Sequence, residues 1–316
     1  MKRVLGVALA AGMAVAAYAQ QKVDPAIGGY AKTSGVSGNI NSVGSDTMNN
    51  MMTLWAESFT KLYPNIKVQV EGKGSSTAPP AMIAGTAQFG PMSRAMRSTE
   101  IDQFEAKYGY KPTQIRTSYD ALAVYVNKDN PIEKLTLAQV DSAFSKTRRR
   151  GGKAVTTWGD LGLTGDWAGK PVSLYGRNSA SGTYGFFKEH TLKNGDYKDS
   201  VKEQPGSASV VQGVTEDRFG MGYSGIGYRT SGVKVVPLAE ATSFSDGSYA
   251  DVVSGRYPLN RFLFIYINRA PGKPLDPLVK EFCKFVLSKE GQEVVVKDGY
   301  LPLSAEIVKQ ELAKLE

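Results

Sequence analysis

Residues 117–126 read Thr-Ser-Tyr-Asp-Ala-Leu-Ala-Val-Tyr-Val: a single aspartate, Asp120, and then a continuous apolar run from Ala121 to Val126. A short unbroken apolar run of this kind reads as a β-strand. Runs of the same type lie at Val172–Tyr175, Val233–Val236 and Phe262–Ile267, and Ile66, Val68 and Val70 alternate as a strand. Helical periodicity lies between them. It covers Met48–Leu62, with Met51, Trp55, Phe59 and Leu62 on one face, then Leu135–Phe144 and Leu278–Val296. Strands alternating with helices predict an α/β architecture with largely parallel sheets. No long internal repeat is present, so a solenoid is excluded.

The N-terminus has another purpose. Lys2 and Arg3, the apolar run Val4–Ala17 and the ending Ala17-Tyr18-Ala19 follow the order of a secretory signal peptide, residues 1–19. The run is shorter than the roughly 20 residues a membrane-spanning helix needs, and no later stretch is long and apolar enough. Residues 20–38, rich in Gly, Ser and Lys, read as a flexible leader. The rest of the 316-residue chain suffices for two domains. At 41% hydrophobic and 22% charged residues, the composition is that of a globular protein with a real core.

The formal charge of +8 falls by two, to +6, when Lys2 and Arg3 leave. A modest positive field helps collect anions. It is not the basic stripe of a nucleic-acid binder, and no nucleic acid is expected. Lys146–Lys153, Lys-Thr-Arg-Arg-Arg-Gly-Gly-Lys, reads as a solvated loop or as a docking patch for an acidic partner or anionic lipid heads. Cys283 is the one cysteine and His190 the one histidine. No internal disulfide is available, and a zinc site lacks ligands. Cys283 reads as a buried, inert thiol and His190 as a helix-surface residue. The glycines of Gly220–Gly227 suggest tight turns near a cleft.

Three segments share one design, Gly with Ser or Thr immediately before a helix. They are Gly44-Ser45-Asp46-Thr47 before Met48, Gly72-Lys73-Gly74-Ser75-Ser76-Thr77 before Ala78-Pro79-Pro80, and Ser179-Ala180-Ser181-Gly182-Thr183 before Tyr184. A helix start offers unpaired N–H groups and about half a positive charge. Glycine admits a ligand to that backbone and hydroxyls add donors, which together suit a tetrahedral oxyanion. One such segment is only an N-cap; three in one chain point to a shared site. Arg177 can give the same anion a bidentate guanidinium. Arg94, after Ser93, reads either as a cleft residue or as a surface arginine. Asp120 reads either as a strand-edge cap or as a carboxylate that accepts the proton of hydrogen phosphate and repels sulfate. Catalytic patterns fit poorly: Gly222-Tyr223-Ser224-Gly225-Ile226 lacks the last glycine of a nucleophile elbow.

At these residues the chain resembles the phosphate-specific substrate-binding proteins of bacterial ABC importers, from about Gly38 to Ser304. The markers are Val43-Gly44-Ser45-Asp46-Thr47, Gly74-Ser75-Ser76, Phe89-Gly90-Pro91-Met92-Ser93-Arg94, Tyr119–Val124 and Arg177–Thr183. Further on come Ser288-Lys289-Glu290-Gly291-Gln292 and Gly299-Tyr300-Leu301-Pro302-Leu303. The resemblance implies a two-lobed periplasmic-binding-protein fold of type II, crossed twice by the chain near Asp120 and Phe262–Ile267. One lobe would hold residues 39–124 and 265–316, the other residues 125–264.

It also implies a monomeric, cofactor-free periplasmic receptor that hands inorganic phosphate to an ABC permease. Thr47, Met48, Ser75, Ser93, Asp120, Arg177, Ser181, Gly182 and Thr183 would bind the anion, with Ser45, Asp46, Ser76, Arg94 and Ser179 nearby. The chain departs from the family in three places. Ser93 stands where several relatives have aspartate, which puts weight on Asp120. Thr77-Ala78-Pro79-Pro80 replaces a glycine, and the basic insertion after Phe144 is longer than usual. A secreted phosphatase-like hydrolase, or a sensing or adhesive protein, is the alternative on the same scaffold.

Overall fold

The computed structural model describes residues 21–316; the expected signal peptide lies outside the described residues. Eleven strands are found among them. They are β1 (Asn39–Val43), β2 (Lys67–Glu71), β3 (Phe89–Met92), β4 (Thr113–Asn127), β5 (Leu135–Thr136) and β6 (Ser173–Arg177), then β7 (Lys202–Gln204), β8 (Gly220–Gly225), β9 (Val233–Val235), β10 (Leu238–Ala239) and β11 (Asn260–Ile267). The main sheet runs β2-β1-β3-β11-β4-β8-β6-β7, with β9 also on β4, while β10 and β5 pair separately.

The opening stretch explains this arrangement. β4 is 15 residues long and every residue from Thr117 to Asn127 is buried. Its first part, as far as Ala121, pairs with β11, and from Leu122 onwards it pairs with β8 and β9. One continuous strand therefore serves two half-sheets, one in each lobe. The chain returns at Leu259, whose carbonyl accepts the Leu122 N–H, and enters β11 at Asn260 opposite Ala121. Partner exchange falls at Ala121/Leu122 and Leu259/Asn260, slightly before the breaks expected after Val124 and Phe264.

The expectation of largely parallel sheets needs correction. β1 is parallel to β2 and β3, and β6 to β7 and β8, as strand–helix–strand units require. The two linking strands run against their neighbours: β11 is antiparallel to β3 and β4, and β4 to β8 and β9. A chain that leaves one lobe and returns must place an outgoing strand beside an incoming one.

Helices cover both half-sheets. In the first lobe Met51, Trp55 and Phe59 of the Asn49–Leu62 helix are fully buried, and Phe59 meets Phe282 edge-on at 5.4 Å. In the second, Phe187 stacks on Tyr223 at 3.9 Å, with Phe144 edge-on to both. The periodic stretch Leu278–Val296 is two helices, Pro277–Leu287 and Lys289–Lys297. Ser288 ends the first and caps the second by accepting the Gly291 N–H. Gly220–Gly225, expected as turns, is strand β8, where glycine lets Val210, Val214 and Tyr175 approach Gly222 closely.

Two further readings change. The segment expected to be a flexible leader is tied to the first lobe. Ile27 is buried in the core, and Tyr30 shares hydrogen bonds with Tyr63 and Glu281 and donates its N–H to Glu290. The basic run is only partly solvated. Arg150 donates to the carbonyls of His190 and Thr191, which end a helix, and pairs with Glu240. It thus acts as a helix C-cap, where a cation is favoured.

Candidate functional site

The three hydroxyl-rich segments do converge. Asp46–Met48 and Ser75–Thr77 each form one tight helical turn before Asn49–Leu62 and Ala78–Ile83, the latter with proline in its first turn. Ser181 caps the helix Gly182–His190 by accepting the Tyr184 N–H. The first two turns belong to one lobe and the third to the other.

Four hydroxyls meet between them. Thr47 Oγ1 and Thr183 Oγ1 are 2.9 Å apart, Ser75 Oγ and Ser93 Oγ 3.2 Å, and Thr183 Oγ1 lies 3.4 Å from Ser93 Oγ. Ser75 Oγ also accepts the Ser93 N–H at 3.0 Å. All four residues are 0–1% exposed. Gly182 sits against them so closely that a Cβ there would lie 2.3 Å from Ser75 Oγ and 2.7 Å from Ser93 Oγ. The backbone also meets across the cleft, since the Ser76 N–H donates to the Ala180 carbonyl at 3.1 Å. Gly74 makes that approach possible: its φ is +114°, and a Cβ would lie 2.5 Å from the Ala180 oxygen.

Arg177 is fully buried and reaches Asp46, the residue before Thr47. Its Nη1 donates to Ser207 Oγ at 2.7 Å, its Nη2 to the Pro205 carbonyl at 3.2 Å, and the same nitrogen is 3.2 Å from Asp46 Oδ2. Nε is buried and makes no hydrogen bond. Burial lowers the pKa of this guanidinium from its ordinary value, while the Asp46 charge opposes the change. Asp46 also accepts the Ser207 N–H at 2.8 Å, and its carbonyl takes the Tyr228 hydroxyl. Asp46 thereby joins the first lobe to the second.

Asp120 is fully buried with both oxygens engaged. Oδ1 accepts the Ile226 N–H at 3.0 Å, and Oδ2 accepts Nε of Arg261 at 2.8 Å. Arg261 in turn donates from Nη1 to the Ser93 carbonyl at 2.8 Å and from Nη2 to Thr183 Oγ1 at 2.9 Å. Sequence reasoning missed Arg261. It sits second in β11, between Asn260 and the run Phe262–Ile267, with no glycine or Ser/Thr signature around it.

The remaining expected residues divide. Ser45 is buried with its hydroxyl unpartnered, and its N–H bonds to the Pro91 carbonyl. The Met48 side chain lies in the core and its N–H bonds to the Ser45 carbonyl. Arg94 is clamped by Glu100 through two bonds of 2.7 Å, only 3.5 Å from Ser76 Oγ, and does not reach the hydroxyl cluster. Ser179 is exposed. His190, at the helix surface, stacks on Phe186, and burial lowers its pKa. Burial pushes the Cys283 thiol up to about 12, which makes it inert.

The arrangement is a buried cluster of hydroxyls between two lobes, with a capped helix start on one side, Arg261 in contact with it and Arg177 on Asp46 next to Thr47. Such a setting suits a small oxyanion, which loses its water and gains fixed donors. Residues 30–290 match the model of the PBP superfamily domain. Over 310 residues the chain is 57% identical to the phosphate-binding protein PstS of Pseudomonas aeruginosa, covering 97% of this chain and 96% of that protein. Protein SphX of Synechococcus elongatus is 28% identical over 83% of this chain and 77% of its own length. An ABC-type phosphate transport receptor from Vibrio cholerae shares the fold, with a TM-score of 0.65 at 22% identity over 84% of this chain and 100% of that one. This chain belongs to the PBP superfamily and, within it, to the PstS family of phosphate-binding proteins.

Proposed function

We propose that this chain captures inorganic phosphate between its lobes and delivers it to the permease of an ABC importer, in the periplasm, after loss of residues 1–19 as a signal peptide. The observation that carries this reading is the meeting of Thr47, Ser75, Ser93 and Thr183 around Gly182, with both lobes contributing. Each lobe alone offers only part of the donor set, so binding is partial when the lobes are open and complete when they close. Phosphate then stabilises the closed form by its differential affinity. The Ser181 cap and the Gly182 and Thr183 backbone present a helix start to the anion. Arg177, its Nε uncommitted, supplies charge from beside it. The close likeness to the Pseudomonas PstS over nearly the whole chain supports phosphate as the anion.

The chain acts without catalysis in this reading. The sole cysteine is an inert core thiol, and the cluster is built from hydroxyls held by one another. The test is isothermal titration of ligand-stripped protein. Tight binding of phosphate and little of sulfate is expected; absence of heat with phosphate refutes the reading. Steady hydrolysis of a phosphomonoester, abolished by a change at the cluster, would instead make the protein an enzyme.

A further inference from the structure

The Asp120–Arg261 pair has no part in the scheme above, and its geometry gives it one. The two residues face each other across the antiparallel β4–β11 register, at the point where both strands pass between the lobes. Asp120 is 0% exposed and Arg261 6%. Nε lies 2.8 Å and Nη2 2.7 Å from the same Asp120 oxygen. The far side of the guanidinium carries the Ser93 carbonyl, from the first lobe, and the Thr183 hydroxyl, from the second. One face lies 5.2 Å from the Phe186 ring. Arg261 therefore stands between Asp120 and the hydroxyl cluster and touches two of the four cluster residues.

A buried ion pair is costly to desolvate, and a well-packed apolar pair would hold the strand register as well or better. Register alone does not account for a guanidinium aimed at Thr183 and Ser93. We propose that Arg261 contacts the bound anion directly and that Asp120 is a positioning residue acting through it. This rests on the reading of the cluster as the anion site, and it revises the direct role expected of Asp120. Both Asp120 oxygens are already engaged, one by Ile226 and one by Arg261. The proton of hydrogen phosphate instead falls to a Ser or Thr oxygen, since a hydroxyl both donates and accepts. Nη2 keeps its direction, and the anion takes the place of the Thr183 oxygen on it as that hydroxyl rotates away. The planar fork of arginine, fixed on one edge by the carboxylate, suits this task better than a flexible ammonium.

The test is the phosphate dissociation constant of the wild-type protein, Arg261→Gln, Asp120→Asn and the double variant, with thermal unfolding measured on each. Removing a charged donor from an enclosed anion should weaken phosphate roughly 100-fold in Arg261→Gln. Asp120→Asn, which only loosens the guanidinium, should cost roughly tenfold, and the double variant should bind within threefold of Arg261→Gln. Phosphate affinity in Arg261→Gln within threefold of wild type overturns the proposal. So does a loss in Asp120→Asn that exceeds the loss in Arg261→Gln, which would place the carboxylate itself on the anion. Should Arg261→Gln fail to fold because Asp120 is left unpaired, the double variant leaves no lone buried charge. Near-wild-type affinity in it overturns the proposal equally. Failure of the wild-type protein to bind phosphate refutes the parent reading instead and is distinguished at the first titration.

Discussion

The Thr47 hydroxyl of one lobe and the Thr183 hydroxyl of the other meet at 2.9 Å, although 136 positions separate them in the chain. Both are buried, so each satisfies part of the other's hydrogen-bonding need away from bulk solvent. An oxyanion entering here exchanges that mutual bond for two bonds to itself. Thr47→Val and Thr183→Val keep the shape and remove the hydroxyl. Each should weaken phosphate binding roughly tenfold by calorimetry. Because the two groups touch, the double variant should lose less than the product of the single losses.

Gly182 is a steric requirement. Its φ is not in the left-handed region, and alanine is a better helix former. Yet an added methyl would stand 2.3 Å from Ser75 Oγ and 2.7 Å from Ser93 Oγ. Gly182→Ala should leave the lobes folded, with a near-normal unfolding midpoint, while phosphate affinity falls by roughly 100-fold or more because closure is blocked.

Arg150 separates structure from function in the basic run. Arg150→Ala removes donors from the His190 and Thr191 carbonyls and breaks the Glu240 pair. Denaturant unfolding should show a loss of about 1–2 kcal/mol, with phosphate affinity unchanged within threefold.

Asp298 gives a pH dependence with a definite sign. Burial raises its pKa to about 6 from 3.8, opposed by a hydrogen bond from Asn50. The folded state thus holds this proton more tightly than the unfolded state. The group's contribution to stability falls as pH rises from about 4 to about 6 and stays unfavourable above that. Asp298→Asn keeps an acceptor for Asn50. It should stabilise the protein at pH values above about 7 and gain little near pH 4, as read from denaturant midpoints.

Local chemistry was legible in the sequence and distant pairing was not. The buried β4 strand, the Asn49–Leu62 helix and the three helix starts announce themselves by apolar runs, period and caps within a few residues. The Ser288 break also had its signature, a serine three residues before Gly291, but apolar periodicity continued through it. Arg261 shows nothing locally, because its meaning comes from Asp120, 141 positions away. The segment before Gly38 looked like a free leader by composition. Its anchors, Tyr63, Glu281 and Glu290, are again distant in the chain. Arg94, matched by motif, turned instead to Glu100, six residues on.

The most direct test of the account is to locate the oxyanion itself. Crystals grown with arsenate, a heavier tetrahedral analogue of phosphate, allow the anion to be placed by the anomalous scattering of arsenic. One peak is expected between the lobes, within hydrogen-bonding distance of the Thr47, Ser75 and Thr183 hydroxyls. A peak elsewhere, with these hydroxyls still bonded to one another, would contradict it.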